Sequence, residues 1–178
     1  MQHHGVPTRL LDWTSILGVA LYFALLDYTE ESGKVPCIWI LNPYAMNYAT
    51  WELYRLFTPK YLARDEAHNR SYDYSEILLG THPIGWDTPL AIYPMQHSDR
   101  MFAQSGWFTI HGNNPAPIED LFGDHKGILA KVEIPKAAIS AAVKFLQFSG
   151  LDHRQLFPDL DGLARSVCDR FGMARRST

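Results

Sequence analysis

The sequence predicts an α+β fold in which a mixed β-sheet packs against helices within one domain. Three observations carry this expectation. Short runs with β-branched or aromatic residues, bounded by turn-forming residues, occur at 35–41, 89–93, 101–111 and 127–134. Segments with helical spacing or helix-start signals lie at 14–26, 42–54, 135–148 and 158–171. Of the 178 residues, 47% are hydrophobic and 13% aromatic, enough to build a core in a chain of this length.

Taken in order, Thr14 or Ser15 is placed to cap a helix that carries Val19, Tyr22, Phe23 and Leu26 at helical spacing. Gly18 and Ala20 leave room for another backbone to come close. Residues 30–33 form a turn. The strand at 35–41 tolerates Pro36 near its start, where a missing N–H costs little. Asn42 suits a cap and Pro43 a first helical position, which opens a helix running to Tyr54. Residues 57–88 mix charges, Tyr, Gly and Pro without a period. They are expected to be loop, with a short helix at 62–68. A strand at 101–111 presents Phe102, Gln104, Gly106 and Phe108 on one face. The helix at 135–148 enters on Pro135 and is followed by Gly150, and the helix at 158–171 carries Asp159 and Asp161 in its first turn. The domain is expected to span 1–174, with 175–178 a disordered tail.

Bulk properties exclude several functions. Net charge is −3 and the isoelectric point is near 6.2, so no broad attraction to nucleic acid or membrane follows. Cys37 and Cys168 stand far apart and flank no Cys-x-x-Cys, as expected of reduced, buried thiols in a cytoplasmic protein. The apolar stretch from Ile16 is too short to span a membrane. His68, His82, His97, His111, His125 and His153 show no metal-ligand spacing, and His97 with Asp99 is a weak pair, so no metal is expected. Neither a phosphate-binding glycine loop nor a Gly-x-Ser-x-Gly elbow occurs. Lys60, Arg64 and Arg70 alternate with Tyr54, Tyr61, Tyr72 and Tyr74, a pattern suited to single-stranded nucleic acid. Asp65, Glu66, Asp73 and Glu76 dilute that charge, which favours a solvated loop.

The densest chemistry is the opening run Gln2-His3-His4-Gly5-Val6-Pro7-Thr8-Arg9-Leu10-Leu11-Asp12-Trp13-Thr14. It leads into the apolar stretch 16–26, whose start, as a helix N-terminus, would offer N–H groups to an anion. The run is read as the floor of a site. His3 and His4 suit acid–base work near neutral pH; being adjacent in an extended chain, at most one faces the site, and the other reading is a structural histidine. Arg9 and Asp12 either form an ion pair that shapes the loop or act on a ligand, Arg9 gripping a phosphate and Asp12 positioning it. Trp13 either stacks on a base or nicotinamide or fills the core. Gln104 is a buried amide in need of a partner from protein or ligand, and Gly106 permits close approach.

Three segments together resemble the FRG domain family. They are Gln2 to Thr14 with Ala20-Leu21-Tyr22-Phe23-Ala24, then Arg100-Met101-Phe102-Ala103-Gln104-Ser105-Gly106-Trp107-Phe108-Thr109, then Leu156-Phe157-Pro158-Asp159-Leu160-Asp161-Gly162-Leu163. Family members usually carry a Phe-Arg-Gly segment upstream of the first motif. This chain starts at that motif, so the upstream part is expected on a partner chain, or lost, or absent from a shortened relative. The order of motifs is also similar to that of ADP-ribosyltransferases, with Thr8 or Thr14 as the middle element and Gln104 in place of the late Glu. That likeness implies an NAD-like nucleotide ligand: phosphate on Arg9, Thr8 and Thr14 ordering the site, ribose on Gln104, and His3 or His4 as acid–base group. It implies transfer of ADP-ribose to a macromolecule, in the manner of a toxin or anti-phage effector. A glutamine holds a ribose hydroxyl but supplies no negative charge to an oxocarbenium-like centre. Two other readings stay open: a non-catalytic module that binds protein or nucleic acid through 57–88, and a metal-independent nuclease that uses His and Asp.

Overall fold

The computed structural model describes residues 8–52, 54–58, 88–94, 98–123 and 125–173. In chain order the elements are β1 (Leu10–Thr14), α1 (Leu17–Leu25), a 3-10 turn (Glu30–Ser32), β2 (Cys37–Leu41), α2 (Pro43–Trp51), β3 (Leu90–Ile92), α3 (Asp99–Gln104), β4 (Gly106–Ile110), α4 (Ile118–Phe122), β5 (Leu129–Glu133), α5 (Lys136–Phe148), α6 (His153–Leu156) and α7 (Leu160–Phe171). The fold is α+β. The chain forms two compact units, the first of Met1–Trp13, Trp39–Met95 and Trp107–Lys131, the second of Thr14–Ile38, Gln96–Gly106 and Val132–Thr178.

Two small antiparallel sheets replace the expected single mixed sheet. One has the strand order β1-β4-β3 and the other pairs β2 with β5. In β3 and β4, Leu90 faces Ile110, Ala91 faces Thr109 and Ile92 faces Phe108. The His111 N–H donates to the Arg9 carbonyl and the Ser15 N–H to the Ser105 carbonyl, so numbers fall along β4 as they rise along β1. The Asn42 N–H to Ile128 and the Ile134 N–H to Pro36 define β2 against β5 in the same way. Parallel pairing among the described residues is an isolated bridge between Phe57 and Ile92.

In the first unit, Met46, Ala91, Ile118, Phe122 and Ile128 form the core, with Trp13, Leu41, Leu56 and Leu121 packed against it. Asn42 starts α2 as expected: its side chain accepts the Ala45 N–H, and Pro43 fills the first helical position. One turn on, Asn47 is fully buried at 0% exposure. Its Nδ2 donates to the carbonyls of Arg55 at 2.7 Å and Ala91 at 2.9 Å, and its Oδ1 accepts the Ala91 N–H at 2.8 Å. A three-residue strand cannot pair all its backbone groups through ladders alone, and the carboxamide supplies what β3 lacks.

In the second unit, α1 lies along α5. At Gly18 the close neighbour is the end of the Leu151 side chain rather than the second backbone expected there. Asp152 caps α6 by accepting the Gln155 N–H at 2.9 Å, and Asp159 caps α7 by accepting the Gly162 N–H at 2.7 Å. Gly150 takes a positive φ of 66° after α5, as a helix-ending glycine does. Lys136 and Glu30 pair at 2.8 Å on the surface, which raises the Lys136 pKa from 10.5 through that hydrogen bond and charge. A raised lysine pKa stabilises the fold below the unfolded value and ceases to do so above the folded one. The pair is exposed, so water screens it.

Three expectations need correction. Residues 101–111 are not one strand. Ser98 caps α3 by accepting the Met101 N–H, and the chain turns at Ser105, with φ of 44°, before β4 begins. The alternation at 102, 104, 106 and 108 is therefore coincidental. The cap of α1 is Ile16, not Thr14 or Ser15, although the Thr14 hydroxyl does accept the Ile16 N–H at 3.1 Å. Cys37 and Cys168 are free thiols but half-buried. The run ahead of α1 contains a strand, β1. The short helix expected at 62–68 and the tail at 175–178 lie outside the described residues.

Asn47 yields a test. Asn47→Ala leaves three backbone groups without their partner and is expected to cost roughly 3 kcal/mol in denaturant unfolding. Asn47→Asp keeps the acceptor for Ala91 N–H but loses both donated bonds, so it also destabilises. Equal midpoints for either variant and wild type would refute this role.

Candidate functional site

Residues from each of the three quoted segments meet in the second unit. Thr14, from the first, donates its hydroxyl to the Gln104 carbonyl at 2.7 Å. Gln104, from the second, closes α3 and donates its Nε2–H to the Leu156 carbonyl at 2.9 Å. Leu156, which opens the third, is fully buried at 0% exposure. Strand end, helix end and helix α6 are thus tied by two hydrogen bonds through one glutamine.

Beside this relay stands an aromatic stack centred on Phe157. The His153 imidazole lies 4.1 Å from it, nearly parallel at 17°. The Arg100 guanidinium lies 4.4 Å from the ring centroid. The phenyl ring thus contacts both the imidazole and the guanidinium. Phe23 meets the same ring edge-on, with centroids 6.0 Å apart. His153 is buried, and its Nδ1 shares a hydrogen bond of 2.7 Å with the Tyr22 hydroxyl. Either the phenol donates to a bare Nδ1 or Nδ1–H donates to the phenol oxygen.

Gly162 makes this packing possible. A Cβ there would run into the Phe157 carbonyl oxygen and Cβ, so α7 can begin against Phe157 only with glycine at this point. Alanine is the better helix former by about 1 kcal/mol. Overpacking against backbone costs more than that, typically about 1–3 kcal/mol. Gly162→Ala is therefore expected to lower the thermal midpoint, and a rise would show that α7 moves freely.

The other residues singled out from sequence fall as follows. Arg9 belongs to the first unit, where its Nη1 donates to the Gly112 carbonyl at 2.7 Å. That carbonyl, rather than Asp12, is the partner of its guanidinium, because side chains three apart on an extended chain point to opposite faces. Asp12 is exposed on β1. Trp13 is half-buried against the core of the first unit and donates its Nε1–H to the buried Thr109 hydroxyl at 3.1 Å. Thr8 is exposed, with its hydroxyl 3.4 Å from the Leu10 N–H. Gly106 opens β4, and a Cβ there would sit 3.8 Å from the Met101 carbonyl, an ordinary contact, so its backbone demands no glycine for space. His3 and His4 lie outside the described residues, as do Lys60, Arg64, Arg70, Tyr61, Tyr72, Tyr74, Asp65, Glu66, Asp73, Glu76, His68, His82 and His97. Among the described residues no three His, Cys, Asp or Glu side chains gather to hold a metal, and no helix there is long and apolar enough to cross a membrane.

Sequence reasoning missed Tyr22, Arg100, His153 and Phe157 as a group. Asp152 could have revealed α6, since Asp followed by a short run and then Leu-Phe-Pro is a cap followed by a helix stop. Nothing in the spacing of Tyr22 and His153, 131 positions apart, points to their contact.

The family model of the FRG domain matches residues 1–33, and this partial match supports membership of the FRG family. The matched stretch supplies Thr14, Tyr22 and Phe23 to the junction. No curated protein and no solved structure matches the chain.

Proposed function

We propose that this FRG-domain chain binds a nucleotide of the NAD type through the motif junction of its second unit, in an ADP-ribosyltransferase-like arrangement. The observation that carries the reading is the state of the Gln104 carboxamide. Its nitrogen is committed to Leu156, which fixes the amide plane. Its Oε1 takes no hydrogen bond among the described residues, which leaves an oriented acceptor for a ligand in this reading. A ribose hydroxyl is a donor of the right kind for it. Transfer would break the bond between ribose C1′ and nicotinamide, join C1′ to a nucleophile of the acceptor macromolecule, and release nicotinamide and a proton. His3 or His4, both outside the described residues, is the acid–base candidate of this reading. A toxin or anti-phage role belongs to the same proposal.

Calorimetry of the full chain with NAD tests it. Binding in wild type, weakened at least about tenfold in Gln104→Ala, is the expected result. Expression in a bacterial host is expected to arrest growth in a Gln104-dependent way. Absence of NAD binding together with growth arrest that survives Gln104→Ala would overturn the reading.

A second reading, a non-catalytic binding module, has one observation in its favour. Tyr44 and Tyr48, one turn apart on α2, both contact Tyr54, the first stacked at 5.5 Å and the second edge-on at 6.4 Å. All three rings are exposed, an arrangement on which bases stack. Tight binding of poly(U) lost in Tyr54→Ser, with no NAD binding, would favour it.

A further inference from the structure

We propose that Arg100 is the anion-binding group of the second unit, holding the phosphate attached to the ribose whose hydroxyl meets Gln104. This rests on the nucleotide reading above and names the part of the ligand that reading leaves open. Arg100 is half-buried, and its guanidinium lies over the Phe157 ring. Stacking orients a guanidinium while using none of its five N–H donors. No carboxylate, carbonyl or hydroxyl of the described residues accepts a hydrogen bond from it. A half-buried guanidinium with no acceptor among the described residues keeps its N–H donors for solvent or for an anion. His153 packs nearly parallel on Phe157 and Phe23 meets it edge-on, so the ring under Arg100 is itself held by two neighbours.

Arg100 and Gln104 stand four residues apart on α3, and therefore on one helix face. They dock on consecutive residues, Gln104 on Leu156 and Arg100 on Phe157. One face thus offers a fork of cationic donors and, one turn away, a neutral acceptor. Such Cβ atoms are separated by roughly 5–6 Å, a span that a ribose with its 5′-phosphate covers. An anion on the guanidinium fork and a hydroxyl on Oε1 would satisfy both side chains at once.

The experiment is titration calorimetry of the full chain with nicotinamide mononucleotide, nicotinamide riboside and NAD. Wild type is expected to bind the mononucleotide roughly tenfold tighter than the riboside, the effect of one charge-assisted contact. Arg100→Gln is expected to erase that difference and leave riboside affinity unchanged, whereas Gln104→Ala weakens both ligands. Arg100→Met, which still covers Phe157, repeats the measurement should the glutamine variant melt early. Equal affinity of wild type for the two probes, or an undiminished preference in the Arg100 variants, overturns the role of Arg100 and leaves the nucleotide reading standing. Failure of wild type to bind any of the three overturns both.

Discussion

Short elements leave backbone groups that no ladder can pair, and a buried carbonyl or N–H without a partner costs about 1–3 kcal/mol. Much of this structure follows from how that cost is avoided. In the first unit the Asn47 carboxamide takes both backbone groups of Ala91 and the carbonyl of Arg55. In the second, Gln104 takes the Leu156 carbonyl with its side chain while its own carbonyl takes the Thr14 hydroxyl. A carboxamide suits such positions because it carries donor and acceptor without charge, and a charge there would have to be desolvated. The same property leaves Gln104 with an acceptor unused among the described residues.

The stack on Phe157 couples packing to chemistry. Its ring packs against an imidazole and a guanidinium, and Gly162 lets α7 start beside it. Side chains that hold a ligand must be held themselves, and an arginine gains that order more cheaply from a ring than from a carboxylate, which would occupy its donors. His153 and Tyr22 join α1 to α6 from the buried side of the same stack. Packing contacts and the residues of the proposed site therefore belong to one small cluster.

How much of this was legible varies with the range of the interaction involved. The helices at 43–51, 136–148 and 160–171 announce themselves through local chemistry: Asn42 with Pro43, Pro135 with Gly150, and Asp159 at the start of the last helix. The region around 98–111 misleads, because Phe102, Gln104, Gly106 and Phe108 alternate as a strand would. Ser98 followed by Asp99 is a helix start, and it prevails since a capped turn satisfies its own N–H groups without waiting for a distant strand. The placement of Gln104 at a helix end, rather than mid-strand, follows from that competition. Arg9 and Asp12 looked like a pair because they are close in sequence; the extended backbone of β1 sends them apart.

From the sequence alone came the α+β class, the Asn42 cap and the Gly150 helix stop, the FRG likeness with its three quoted segments, and the interest of Thr14 and Gln104. These rest on interactions within a few residues or on a linear pattern, and both are written in order along the chain. Only the tertiary structure decided that Thr14, Gln104 and Leu156 are hydrogen-bonded neighbours, that Arg100 lies on Phe157, and that Tyr22 reaches His153. Those contacts join residues 52 to 131 positions apart. Their geometry is set by which faces pack together, and a linear code does not record that.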